Sequence, residues 1–272
     1  MALPIALQLY SVRHEMKVDF RGTLEKVKQM GYDGVEFAGL FDNDPACVKQ
    51  MCEEIGLVPI SAHVALGDML EGGASIFEAY AKVGMPYIAI PSLPTEYRPG
   101  NEKFDEAIAL AKKFGAMART CGMQLLYHNH DFEFVKLDGV YGLDVLYREV
   151  SPALLQTELD VCWVNVGGED PADFIRKYAT RCPVVHLKDF WGEKSENMYE
   201  LIGEKITAAP ARPQSFEFRP IGSGKQDMPA VLKAATESGA SWAVVEQDTP
   251  SMGLSELECA QKSLQYLKSI NW

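Results

Sequence analysis

The sequence predicts an α/β protein folded as a single (β/α)8 TIM barrel over residues 1–272. Three observations carry this. Short β-type apolar runs alternate with amphipathic segments eight times along the chain. The runs are apolar nearly throughout, as in a parallel sheet covered on its outer face by helices. The 272 residues match the roughly 250 that such a barrel needs.

The units read in order. "IALQLYSV" is a strand and "DFRGTLEKVKQMG" a helix stopped by Gly31; "GVEFAG" precedes "PACVKQMCEEIG", again ending on glycine. A glycine there accepts the left-handed conformation that closes a helix. "VPISAHV" leads to "SIFEAYAKVG", and "YIAIPSL" to the long "FDEAIALAKKFGAMARTCG". The fifth strand is "QLLYHNH", followed by "YGLDVLYREV"; the sixth is "LLQTELDVCWV", followed by "PADFIRKYATR". "VVHLKDF" is the seventh, separated from "MPAVLKAATESG" by a long segment at about 191–221 that reads as a candidate lid. "WAVVEQD" and "SELECAQKSLQYLKSI" complete the set. An open doubly wound sheet is the alternative, but no G-x-G-x-x-G follows the first strand.

Composition narrows the function. Hydrophobic residues make up 47% of the chain, enough for a substantial core. A net charge of -12 with no basic stripe argues against a nucleic-acid partner, including an endonuclease role. No apolar run nears the roughly 20 residues of a membrane span. "MALPIALQLYSVR" lacks the basic start and long apolar core of a signal peptide, and the six cysteines lack metal-type spacing. A reduced, cytoplasmic protein is expected, and a homo-oligomer is compatible with the sequence.

A barrel places its chemistry at the C-terminal ends of its strands. Those ends carry Tyr10, Glu36, His63, His128 with His130, Asp160, His186 with Lys188, and Glu246 with Asp248. Glu36 either contacts substrate or anchors a cation inside the barrel. His63 reads as a substrate contact rather than a ligand, and Tyr10 as packing. Glu158 shares a face with Asp160 and is expected deeper, in a structural role. Asp189 and Asp248 could equally cap helices. Lys188 alternates with His186 so that both point inward. Burying Asp160, His186 and Glu246 together costs several kcal/mol unless a cation compensates, and one divalent metal is the economical solution. Their mixed oxygen and nitrogen donors suit Mn²⁺, Mg²⁺, Co²⁺ or Zn²⁺, with Mn²⁺ the first expectation.

The ordered series "YHNHDFEF", "TELDVCWVNVGG", "VVHLKDF", "IGSGKQD" and "WAVVEQD" resembles the xylose isomerase-like TIM barrels of the sugar phosphate isomerase/epimerase family, over essentially the whole chain. The resemblance implies one divalent metal held by glutamate, aspartate, histidine and glutamate on strands five to eight. "ELD" would supply Asp160, "VHLKD" His186 and "VVEQD" Glu246. The departure is on strand five, where His128 stands in the position of the first glutamate and Glu133 follows in the loop. Either His128 ligates and Glu133 is a free acid/base, or Glu133 folds back to ligate; the strand position favours His128, and His130 would then line the pocket.

The chemistry implied is proton removal next to a sugar carbonyl through an enediolate, with the metal as Lewis acid. Glu133 and Glu246 are the candidate proton-transfer pair for isomerisation or epimerisation of a small sugar. If Lys188 or His130 instead protonates a leaving hydroxyl or glycosidic oxygen, the outcome is dehydration or β-elimination on a keto-sugar, inosose or 3-keto-glycoside. A non-catalytic sugar-binding barrel is a further alternative. Trp163 could stack on a sugar face and Arg219 could contact substrate. "IGSGKQD" could cradle an anion through its N–H groups, or form a tight turn with Asp227 as the cap of the next helix.

Overall fold

Segments apolar on both faces become strands that need cover on the outside and one another on the inside. In a computed structural model that describes residues 2–195, 198–199 and 216–272, eight such strands form. They are β1 (Ile5–Gln8), β2 (Gly34–Phe37), β3 (Val58–Ala62), β4 (Tyr87–Ile90), β5 (Gln124–His128), β6 (Leu155–Asp160), β7 (Val184–Leu187) and β8 (Trp242–Val245). All pair in parallel, in the order β3-β2-β1-β8-β7-β6-β5-β4. A bridge between His63 and Ala89, with Val64 N donating to Ala89 O at 3.0 Å, joins the two ends of that row. The protein is a (β/α)8 TIM barrel.

Strand periodicity stacks the interior in tiers, because residues two apart share a face. Ala6, Ile60, Ala89, Leu126, Val184 and Val244 form an apolar plug. Two residues further on along the same faces come Gln8, His128, His186 and Glu246. The titratable residues therefore sit directly on a dry plug.

The helices form because their apolar residues recur at helical spacing and their ends are capped. Phe20–Met30 buries Thr23, Leu24 and Val27, starts on the Asp19 carboxylate and stops at Gly31 in the left-handed region. Asp44 and Asp170 cap helices that begin with proline, Asp227 caps one with proline second, and Ser255 with Glu258 forms a capping box.

The structure departs from the sequence reading at two places. "VCWV" does not continue the sixth strand: Asp160 Oδ1 accepts from Trp163 N at 3.0 Å and starts a short helix, Val161–Val166. A helix at Leu66–Gly72 precedes the expected one, which spans Ala74–Val83. The long segment read as a candidate lid at 191–221 lies largely outside the described residues. Its base is a two-stranded antiparallel ribbon, Asp189–Trp191 against Glu217–Arg219, backed by Trp163, Phe190, Phe216 and Phe218.

Candidate active site

Strands β5 to β8 deliver the centre of the site. His128 ends β5, Asp160 ends β6, His186 lies within β7 and Glu246 follows β8, all at most 3% exposed. One donor atom from each lies within 4.8 Å of all the others. Asn129 locks the arrangement: its Oδ1 accepts from Asp160 N at 3.0 Å, tying the end of β5 to the end of β6. Asn129 was invisible as a site residue in the sequence, where only its place between two histidines marks it.

A second layer lies beneath. Gln8 Nε2 donates to Glu36 Oε2 at 2.9 Å, and Glu36 Oε2 lies 2.7 Å from His186 Nε2. His63 Nε2 lies 2.6 Å from Glu158 Oε2. Glu36, expected as a substrate contact or a cation anchor, is fully buried and does not line the cavity above, because the inward face of β2 places it below the floor. His63 does reach the cavity wall.

Lys188 is the only lysine or arginine in this interior among the described residues, and its surroundings explain how it is tolerated. Its Nζ lies 2.9 Å from Glu246 Oε2, 2.9 Å from Asp248 Oδ2 and 3.3 Å from Asp160 Oδ2. Burial alone would lower its pKa, but these carboxylates hold it well above the usual lysine value, as an ammonium. Asp248, a member of this group, faces the cavity rather than capping a helix. The signal for it was its two-residue offset from Glu246.

The histidine-rich turn resolves into two halves. His130 lines the cavity, with Phe132 stacked on it at 5.2 Å and Trp163 at 5.0 Å between ring centroids. Burial pushes its pKa well below the usual histidine value, so the ring is neutral. Glu133 turns the other way. Its Oε1 accepts from the Tyr127 hydroxyl and its Oε2 from His130 N at 2.8 Å, closing the turn from within. It belongs to neither group of side chains with metal-ligand spacing. Glu133, expected as acid/base or alternative ligand, is thus placed apart from the group of His128, Asp160, His186 and Glu246. Its carboxyl, pushed up to about 8 by burial, is a buttress.

Two other expected substrate contacts also lie elsewhere. Trp163 is fully buried behind His130 in the aromatic cluster, and Arg219 pairs with Glu217 at 2.9 Å on the ribbon. The glycine loop is filled from within: Gly222 N and Gly224 N donate to Asp189 Oδ2 at 3.0 and 2.9 Å, and Gln226 N to Asp189 Oδ1 at 3.1 Å. An internal carboxylate occupies the place of an anion. A Cβ on Gly224 would stand 2.2 Å from Asp189 Oδ1, so the loop closes on the carboxylate only with glycine there. Asp227 caps the helix Met228–Glu237, the other reading of this motif.

Above the floor is a cavity of about 410 Å³. His128, His130, Lys188, Glu246 and Asp248 give it a polar base, and Val64, Ile76, Tyr80 and Pro91 an apolar wall.

The residues fit a divalent cation. Five buried carboxylates, Glu36, Glu158, Asp160, Glu246 and Asp248, share this interior, and three of them, Asp160, Glu246 and Asp248, lie against the ammonium of Lys188. Such an excess is stable only if protons or a metal balance it. Asp160 Oδ2 is buried with no hydrogen-bond partner, its one ion pair being with Lys188 at 3.3 Å. Burial pushes His128 down to about 3, leaving the neutral imidazole that a metal requires. His186 carries a proton instead: burial would lower it, but Glu158 and Glu36 hold it well above the ordinary value.

Known proteins bear on this geometry. An inosose dehydratase of Clostridium botulinum is 23% identical over 275 residues, covering 92% of this chain and 89% of that protein. A solved sugar phosphate isomerase/epimerase from Parabacteroides distasonis superposes with a TM-score of 0.76 at 22% identity, covering 99% of this chain and 94% of that one. A probable 3-DHS dehydratase of Bacillus anthracis, involved in petrobactin synthesis, gives 0.74 at 13% identity, covering 98% of each chain. These structural likenesses speak to the fold. The family model described as xylose isomerase-like TIM barrel matches residues 24–270, and the chain belongs to that family.

Proposed function

We propose that this protein is a divalent-metal-dependent lyase that removes water from a small keto-sugar or keto-polyol. The observation that carries the reading is the pairing of Lys188 with Asp248, 2.9 Å apart in the cavity base, while Glu133 is turned away. An epimerase working on both faces of a sugar needs a second free carboxylate, and Glu133 was the residue expected to provide it. The similarity to inosose dehydratases agrees with an elimination.

His128, Asp160, His186 and Glu246 would hold the metal, with Mn²⁺ the expected ion. When bound, it would supply Lewis acidity towards a carbonyl oxygen, making the neighbouring C–H easier to ionise. Asp248 lies outside the ligand group, and burial raises its pKa, which makes it the stronger base. It takes the proton from the carbon next to the carbonyl. Lys188 gives its proton to the hydroxyl leaving from the adjacent carbon. Transfer from Asp248 to Lys188 then restores both groups, so one hydrogen and one hydroxyl leave as water. His130, neutral and stacked between rings, orients the substrate.

Isomerisation or epimerisation is the second reading. It is favoured by Glu246 and Asp248 flanking one ammonium, which could return a proton to a neighbouring carbon or to the same carbon.

The test is to incubate the Mn²⁺-loaded protein with an inosose and follow loss of one water by mass spectrometry. Lys188→Met and Asp248→Asn should each slow the reaction by about 10²–10⁴-fold. Exchange of the α-hydrogen with solvent deuterium, giving isomers without water loss, would replace this reading with the second.

A further inference from the structure

The elimination leaves one motif of the sequence unused: "QLYSVR", residues 8–13, where β1 ends. Its side chains reach across to the loop that carries Asp248. β8 ends at Val245, and Glu246 N still donates to Leu187 O at 3.1 Å. Beyond that point the backbone leaves the sheet, and its polar groups need other partners. Ser11 Oγ accepts from Gln247 N at 3.0 Å, and Arg13 Nη1 donates to Asp248 O at 2.6 Å.

The same Nη1 donates to Tyr10 O at 2.9 Å, and the guanidinium lies over the Tyr10 ring, 4.1 Å from its centroid. Tyr10 and Asp248 both line the cavity, so one cation fastens together two parts of its wall. The foothold of this clamp is firm. Gln8 Oε1 accepts from Tyr10 N at 2.9 Å while Gln8 Nε2 donates to the buried Glu36. Arg13 does not itself line the cavity, so it acts through Tyr10 and Asp248 and not on the substrate.

We propose that Arg13 is a positioning residue for the elimination. By tying Asp248 O to Tyr10, with Ser11 as the second grip, it holds the Asp248 carboxylate where it reaches the hydrogen next to the carbonyl. This rests on the lyase reading, in which Asp248 takes that proton. Such placement matters because a displacement of about 1 Å costs about 10²-fold in rate.

Steady-state kinetics of the Mn²⁺-loaded protein with an inosose tests the clamp. Arg13→Met should lower kcat about 10–100-fold, with KM and Mn²⁺ affinity each within about threefold of the wild type. Arg13→Lys reaches one carbonyl but has no plane to lay on the tyrosine, so it should recover part of the loss. In an Asp248→Asn background, adding Arg13→Met should cost less than about threefold more, because the carboxylate it positions is already gone. An arginine that only supports the fold would cost the same factor in both backgrounds, and that result overturns the proposal. Should Arg13→Met not fold, the same cycle with Arg13→Lys decides by the same criterion. If the wild type removes no water from the inosose, the lyase reading fails and this inference fails with it. If the wild type turns over and Arg13→Met matches its kcat, the lyase reading stands and the clamp is overturned.

Discussion

The Tyr127 hydroxyl donates to Glu133 Oε1, six residues further along the chain, so the carboxylate of the histidine-rich turn points into the protein and away from the cavity. His130 N completes the hold on Oε2 at 2.8 Å. This relationship separates His128 and His130, which face the site, from Glu133, which shapes the turn that carries them.

Glu133 should therefore govern stability rather than metal content. Burial pushes its pKa from 4.5 up to about 8, against the pull of its hydrogen bonds from Tyr127 and His130. Between those values the unfolded chain releases the proton and the folded chain keeps it. The contribution is complete below about pH 4.5 and is lost as pH rises towards 8. Urea denaturation across that range should show Glu133→Gln gaining on the wild type by on the order of a few kcal/mol as pH rises. Its Mn²⁺ content should equal that of the wild type. Loss of the ion from the variant would return Glu133 to the ligand set.

Lys188 competes with a metal for the same carboxylates, at 2.9 Å from Glu246 and 3.3 Å from Asp160. Lys188→Met, besides slowing turnover by about 10²–10⁴-fold, should therefore tighten Mn²⁺ binding. Without added metal the variant should lose about 3–5 kcal/mol of stability, because its carboxylates are left uncompensated. Calorimetric titration beside thermal melts checks both halves. Weaker metal binding in Lys188→Met would show that the ammonium supports the site instead of opposing it.

How much of this was legible in the sequence follows from the range of the interactions involved. The barrel was, because buried strands, helical spacing and caps such as Asp19 and Asp227 are written within a few residues. The group of His128, Asp160, His186 and Glu246 was approached the same way, since strand ends and two-residue offsets fix which side chains face inward. The side to which Glu133 turns was not legible, because its partner Tyr127 competes with the cavity for it and sequence spacing cannot rank the two. The depth of Glu36 was not legible either, because it depends on how β2 registers against β1, which pairs Gln8 with Glu36. The glycine loop looked open to an anion because Asp189, which fills it, lies 33 residues before Gly222.

That filled loop makes its own prediction. Asp189 accepts from the backbone N–H groups of Phe190, Gly222, Gly224 and Gln226. Asp189→Ala leaves these donors without their acceptor and should cost on the order of 3 kcal/mol. Hydrogen exchange should accelerate at Gly222, Gly224 and Gln226 before it does in the strands. Inorganic phosphate should leave wild-type exchange at these amides unchanged. Protection by phosphate would mean that the loop can release Asp189 and take an external anion.

Metal affinity should depend on pH in two stages, because the proposed ligands hold their protons to different degrees. His186 is kept protonated above its usual range by Glu158 and Glu36, against the effect of burial, so a cation at Nδ1 displaces one proton at neutral pH. Asp160, pushed up to about 6 by burial with Lys188 pulling the other way, adds a second displaced proton only below that value. His128, pushed down to about 3, adds none in the working range. The apparent Kd for Mn²⁺ should thus rise about tenfold per pH unit as pH falls from neutral to 6, and approach a hundredfold per unit below it. Titrations in several buffers of different ionisation enthalpy would count the released protons directly. An affinity that stays flat from pH 8 to 5 would place the ion away from Asp160 and His186.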